Sequence, residues 1–100
     1  MKDFRTYKLA VNFYQQSLSL KLPRHLKDQL DRASASIALN LAEGRGRSTA
    51  KDQIRFFHIA FGSLRECQAI LELLGNTNTP AWNTLDYLAA SLYRLLKNAN

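Results

Sequence analysis

Three short breaks divide a sequence that otherwise repeats its apolar residues at three- and four-residue steps. They leave little choice of fold. The breaks are Leu20-Lys21-Leu22-Pro23, Glu43-Gly44-Arg45-Gly46-Arg47 and Gly75-Asn76-Thr77-Asn78. With four Gly and two Pro in 100 residues, few other positions interrupt a helix. The first segment runs from about Asp3 to Ser19. Phe4, Tyr7, Val11, Tyr14 and Leu18 share one face of it, with Leu9 and Phe13 beside them. Pro23 disfavours helix in the residue before it. The second segment, from about Arg24 to Glu43, carries Leu26, Leu30, Ala33, Ile37 and Leu41. Ala35, Ala38 and Ala42 form a flatter face that would let another helix come close. Gly44 is expected at the left-handed position after this helix.

Ser48 or Thr49 caps the third segment, and Thr49-x-x-Asp52 resembles a capping box with Asp in place of Glu. This segment is the longest, reaching Leu74 over about 40 Å at 1.5 Å per residue. Its stripe is Ile54, Phe57, Phe61, Leu64 and Leu71, widened by Phe56, Ile59, Ala60, Cys67 and Ile70. Thr79 and Pro80 read as N-cap and first residue of the fourth. Trp82, Leu85, Ala89, Leu92 and Leu96 carry it to near Asn98. No window alternates with a period of two. The expected fold is therefore all-α: one domain over residues 1–100, an antiparallel up-down-up-down four-helix bundle, because short connections favour antiparallel neighbours. The second and third segments carry more apolar surface than one small bundle buries, which predicts a homo-oligomer.

Several kinds of chemistry are disfavoured. A single cysteine, Cys67, forms no disulfide within the chain. The start, Met1-Lys2-Asp3-Phe4-Arg5, has no apolar run behind its charges. No secretory signal or membrane span is expected, and the chain is placed in the cytoplasm. His25 and His58 stand alone, without ligand spacing, so no metal or other cofactor is expected. Cys67 lies on the apolar stripe and has no nearby His, which argues against a nucleophile. Gly44-x-Gly46 is too short for a phosphate loop and lacks the Lys that one needs.

One polar stripe stands out. Ser36, Asn40 and Glu43 fall on one face of the second segment, and Ser63 and Glu66 repeat the pattern on the third. The reading preferred here is a hydrogen-bonded network at a helix or subunit interface. General acid–base work by Glu43 or Glu66 would need a pocket around them.

The net charge is +6. In an up-down-up-down bundle cut at its middle, one end collects Lys2, Arg5, Lys8, Arg45, Arg47, Lys51, Arg55, Arg94 and Lys97. Against these nine cations stand three acids, Asp3, Glu43 and Asp52. The other end balances five cations against five acids. The charged end centres on Arg45-Gly46-Arg47, continued by Lys51 and Arg55, one helical turn apart. Arginines on a glycine-flexible loop, near the exposed N–H groups that open a helix, suit phosphates. Two readings stand: a docking site for a nucleic-acid backbone, or a solvated charged end. No base-reading motif is present, so shape and charge would govern any such binding.

The run Arg32-Ala33-Ser34-Ala35-Ser36-Ile37-Ala38-Leu39-Asn40-Leu41-Ala42-Glu43-Gly44, followed by Gly46-Arg47, resembles the four helix bundle protein family. That family includes proteins encoded in intervening sequences of bacterial 23S ribosomal RNA genes. Phe56-Phe57-x-x-Ala60-x-Gly62-Ser63-x-x-Glu66 looks like its second motif, and Leu41 departs mildly from the usual isoleucine. The resemblance spans nearly the whole chain. It implies a four-helix bundle assembling as a ring-shaped pentamer, with no enzymatic activity. It also implies kinship with the accessory variability determinant of diversity-generating retroelements, a pentameric barrel that binds nucleic acid and a reverse transcriptase. Five copies in parallel would gather a charge of about +30 on one face. The expected partners are thus further copies of the chain, RNA or DNA, and a protein partner, without a membrane. An interaction scaffold that meets an acidic protein is the alternative.

Overall fold

A computed structural model describes residues 4–98. Four helices account for most of them: α1 (Arg5–Ser17), α2 (Arg24–Arg45), α3 (Ala50–Leu73) and α4 (Pro80–Asn98). No strand occurs among the described residues. The bundle measures 40 × 21 × 19 Å, its long axis matching the length of α3. Helices adjacent in sequence pack on each other, and α1 closes the ring against α4. The diagonal pairs, α1 with α3 and α2 with α4, stay apart.

Paired residues fix the directions. Ser36 of α2 meets Ser63 of α3, and eight residues further along α2, Gly44 meets Phe57, six residues earlier on α3. Thr6, near the start of α1, bonds Ser91, near the end of α4. Phe4, just before α1, lies under Arg45 at the end of α2. His58 and Phe61 of α3 share a notch with Tyr93, Leu96 and Lys97 of α4. Neighbouring helices therefore run antiparallel, in up-down-up-down order.

Phe13, Leu30, Ile37, Leu41, Phe57, Leu64, Leu71, Leu85, Leu88 and Leu92 are fully or almost fully buried and build the core. Thr49 caps α3, its hydroxyl accepting the Asp52 N–H at 3.2 Å. Thr79 does the same for α4, accepting the Trp82 N–H at 3.1 Å.

Two expectations change. The first concerns α1. Its buried stripe is Thr6, Ala10, Phe13 and Ser17, one step round from the expected one. The hydroxyls tolerate burial because each is bonded: Thr6 Oγ1 lies 2.6 Å from Ser91 Oγ, and Ser17 Oγ donates to the Tyr14 carbonyl at 2.8 Å. Small side chains let α1 sit close to α4. The larger Val11, Tyr14 and Leu18 are displaced outward and form, with Gln15, Ala35, Ala38 and Leu39, an open groove of about 350 Å³ between α1 and α2. Leu18 and Leu39 are exposed there.

The second concerns glycine. Gly44 does not end α2 in a left-handed turn. It lies inside the helix, buried, and the helix runs on to Arg45. Its role is close approach. A Cβ at Gly44 would stand 2.7 Å from Phe57 Cε1 and 3.0 Å from Phe56 Cβ. The left-handed glycine is Gly75, φ 68°, after α3. Its N–H bonds the Glu72 carbonyl at 3.0 Å, and the Asn76 N–H bonds the Leu71 carbonyl at 2.8 Å, the paired bonds of a Schellman ending.

Gly62 provides the contrast, since a Cβ there meets nothing within 4 Å. Gly44→Ala should destabilise the fold by about 1–3 kcal/mol through overpacking. Gly62→Ala should stabilise it by about 0.5–1 kcal/mol, since alanine suits a helix interior better. Thermal melts at one protein concentration check both. A Gly44→Ala protein melting like the parent would mean that the Phe57 ring yields freely.

Candidate nucleic-acid interface

The antiparallel order brings the start of α1, the end of α2, the start of α3 and the end of α4 to one end of the bundle. Among the described residues, Arg5, Lys8, Arg45, Arg47, Lys51, Arg55, Arg94 and Lys97 lie there, with Glu43 and Asp52 as the acids. Lys2 lies outside the described residues. Arg45, Lys51 and Arg55 flank a connection of four residues, 46–49, and Arg47 lies within it. Arg5, Arg94 and Lys97 are exposed on the adjoining helices.

The arginines are held, contrary to the flexible loop expected. Arg45 belongs to α2, and Gly46 keeps an ordinary negative φ of −82°. Arg47 Nη2 bonds Glu43 Oε2 at 2.6 Å, and its carbonyl accepts Gln53 Nε2 at 3.1 Å. Ring faces do much of the holding. The Arg45 guanidinium stands 5.6 Å from the Phe4 ring centre. Those of Arg47 and Arg55 stand 4.6 Å and 4.5 Å from that of Phe56. Arg55 also lies 4.0 Å from Asp52, a loose pairing. Phe4 in turn stacks on Tyr7 at 6.2 Å and leans on Phe57 at 6.1 Å. A ring face orients a guanidinium without cancelling its charge, so edge N–H groups that no carboxylate takes up, unlike Arg47 Nη2, can still meet an anion. Lys51 is exposed beside them. A notch of about 370 Å³, lined by Tyr7, Ala42, Arg45 and Gly46, opens at the same end.

The apolar pattern of the sequence places Phe4 and Phe56 on helix stripes and does not show the guanidiniums over them. A signal for Phe56 was available: adjacent residues on a helix point about 100° apart, so Phe56 and Phe57 do not both face one core. Phe57 is buried and Phe56 half-buried.

The polar stripe resolves into three residues. Ser36 Oγ and Ser63 Oγ lie 2.8 Å apart across α2 and α3. Asn40 Nδ2 donates to Ser36 O at 2.9 Å and Ser36 Oγ at 3.0 Å. Glu43 and Glu66 do not join. Glu43 turns to Arg47, four residues on and just past the end of α2, and Glu66 stands exposed on α3. Both carboxylates are exposed.

Among the described residues, no three His, Cys, Asp or Glu side chains gather as a metal would require. No helix of the described residues is long and apolar enough to cross a membrane. Cys67 is buried, and burial, aided by the charge of Glu66, pushes its thiol up from 9.0 to about 12. The folded thiol thus stays neutral where an unfolded one ionises. The stability it contributes is intact below pH 9.0 and falls as pH rises towards about 12. Native protein at about pH 8 should resist alkylation at Cys67, with rapid labelling only in denaturant. Fast labelling of the folded chain would show that the thiol is not sealed in the core.

A family model described as 23S rRNA-intervening sequence protein matches residues 2–99. No curated protein matches the chain.

Proposed function

This chain belongs to the 23S rRNA-intervening sequence protein family, and we propose that it is a non-enzymatic, homo-oligomeric protein that binds nucleic acid through its basic end. The observation that carries this reading is the separation of charge along the bundle. Eight described cations face two acids at one end, and both acids pair with arginines there. The guanidiniums of Arg45, Arg47 and Arg55 also rest on ring faces, which holds a preset array for phosphates. Such an array reads shape and charge, and phosphate contacts position a nucleic acid without reading its bases.

The oligomer is proposed to be a cytoplasmic pentamer, and the uncharged groove between α1 and α2 supports self-association. Leu18 and Leu39 are exposed along it, with Ala35 and Ala38 half-buried beside them. A second copy seated there would cover apolar surface that this bundle leaves in water. Parallel copies would present their basic ends on one face and raise the local field.

Light scattering coupled to size exclusion, with and without a short RNA at two salt concentrations, tests both parts. A pentamer that gains mass with RNA at low salt alone is the expected result. A pentamer indifferent to RNA at both salts would leave the assembly standing and turn the search to an acidic protein partner. Arg45→Ala combined with Arg47→Ala should weaken binding and flatten the salt dependence by about one unit of log–log slope per lost phosphate contact. Unchanged affinity and slope would place the contacts elsewhere on the bundle.

A further inference from the structure

We propose that the notch between α3 and α4 at the basic end seats an unpaired nucleobase, so that the nucleic acid bound there is single-stranded or looped. This inference rests on the basic end being a polyanion site. The notch is lined by His58, Phe61, Tyr93, Leu96 and Lys97 and measures about 330 Å³. That volume is at the small end of ligand sites, about 300–1,000 Å³. His58 and Phe61 are three apart on α3, and Tyr93 and Lys97 four apart on α4, so each pair shares a helix face. Three of the five lining side chains are planar rings.

Other rings at this end are spoken for. Phe4 and Phe57 are buried, and both the Arg47 and Arg55 guanidiniums lie over Phe56. The Tyr7 notch on the opposite side offers a single ring. Tyr93, by contrast, is 57% exposed, an aromatic surface that the bundle does not use. Phe61 is half-buried, with the Arg65 guanidinium 5.7 Å from its ring centre.

Aromatic side chains beside a cation form the usual platform for an unpaired base. The base stacks on the ring, and the cation meets the backbone phosphate. Lys97 lines the notch itself, and Arg94 follows Tyr93 directly on α4. A base inside a duplex is stacked on both sides and does not reach such a notch. The charged array of Arg45, Arg47, Lys51 and Arg55 would track the strand, while the notch adds a contact that only bases make.

Fluorescence anisotropy with two labelled strands of equal length tests this: a pyrimidine single strand, and an abasic strand with the same phosphodiester backbone. The parent protein should bind the base-bearing strand about 5- to 100-fold more tightly. Tyr93→Ala should abolish that preference while binding the abasic strand as the parent does, and Tyr93→Phe should keep it. Equal binding of both strands by the parent, or a preference that survives Tyr93→Ala, overturns the notch but leaves the basic end intact. No binding of either strand at low salt overturns the basic end as well. A lower oligomer mass for Tyr93→Ala by light scattering would assign Tyr93 to a contact between copies, and that also overturns the notch.

Discussion

The structure depends on how closely α2 and α3 approach. At Gly44 the backbone of α2 comes so near Phe57 that no side-chain carbon fits between them. Nearer the middle, the same pair is spaced by two serine hydroxyls 2.8 Å apart, with Asn40 completing the bonding. Glycine and serine together set a narrow seam, and these two helices pack more extensively than any other pair. The seam fixes where the connection 46–49 turns. It thereby sets where Arg45, Arg47, Lys51 and Arg55 stand relative to one another. Dispersion and packing decide the geometry here, and electrostatics is laid on top of it.

Much of this was legible in the sequence. Helix number, order and the breaks follow from periodicity and from Pro23, Pro80 and the glycines, because these signals are local. The two threonine caps are local for the same reason. The side of α1 that faces inward was not legible. Apolar periodicity selects the stripe with the largest side chains, whereas close packing on α4 selected the small Ala10 and the hydroxyl residues Thr6 and Ser17, whose hydroxyls find partners. One partner of Thr6 lies 85 residues away, beyond the reach of any local pattern. The place of Gly44 was not legible either. Glycine serves both turns and close contacts, and only the neighbouring helix tells which. The candidate site was legible as charge, since Arg45, Arg47, Lys51 and Arg55 are explicit in the chain. It was not legible as geometry. The rings beneath the guanidiniums come from Phe4 and from the outward-turned member of the Phe56-Phe57 pair.

Placing arginines on ring faces solves a problem that a cluster of cations creates. Like charges at one end repel each other, and salt bridges would calm them at the expense of the charge itself. Stacking restrains the guanidiniums while the end stays positive. Among the described residues Glu43 and Asp52 are too few to neutralise it; Asp52 pairs with Arg55 on its own helix, and Glu43 with Arg47 just past the end of α2.

The bond between Thr6 and Ser91 also bears on how the bundle assembles in time. The α2–α3 hairpin joins elements close in sequence through a four-residue turn, so its loop-closure cost is small. The α1–α4 contact joins the most distant parts of the chain, and its closure reward comes only after the intervening helices are ordered. That contact therefore belongs to the downhill side of the folding barrier. Loosening it by Thr6→Ala would leave the refolding rate nearly unchanged and speed unfolding. On this account the hydroxyl pair acts as a latch whose main effect is the lifetime of the folded state.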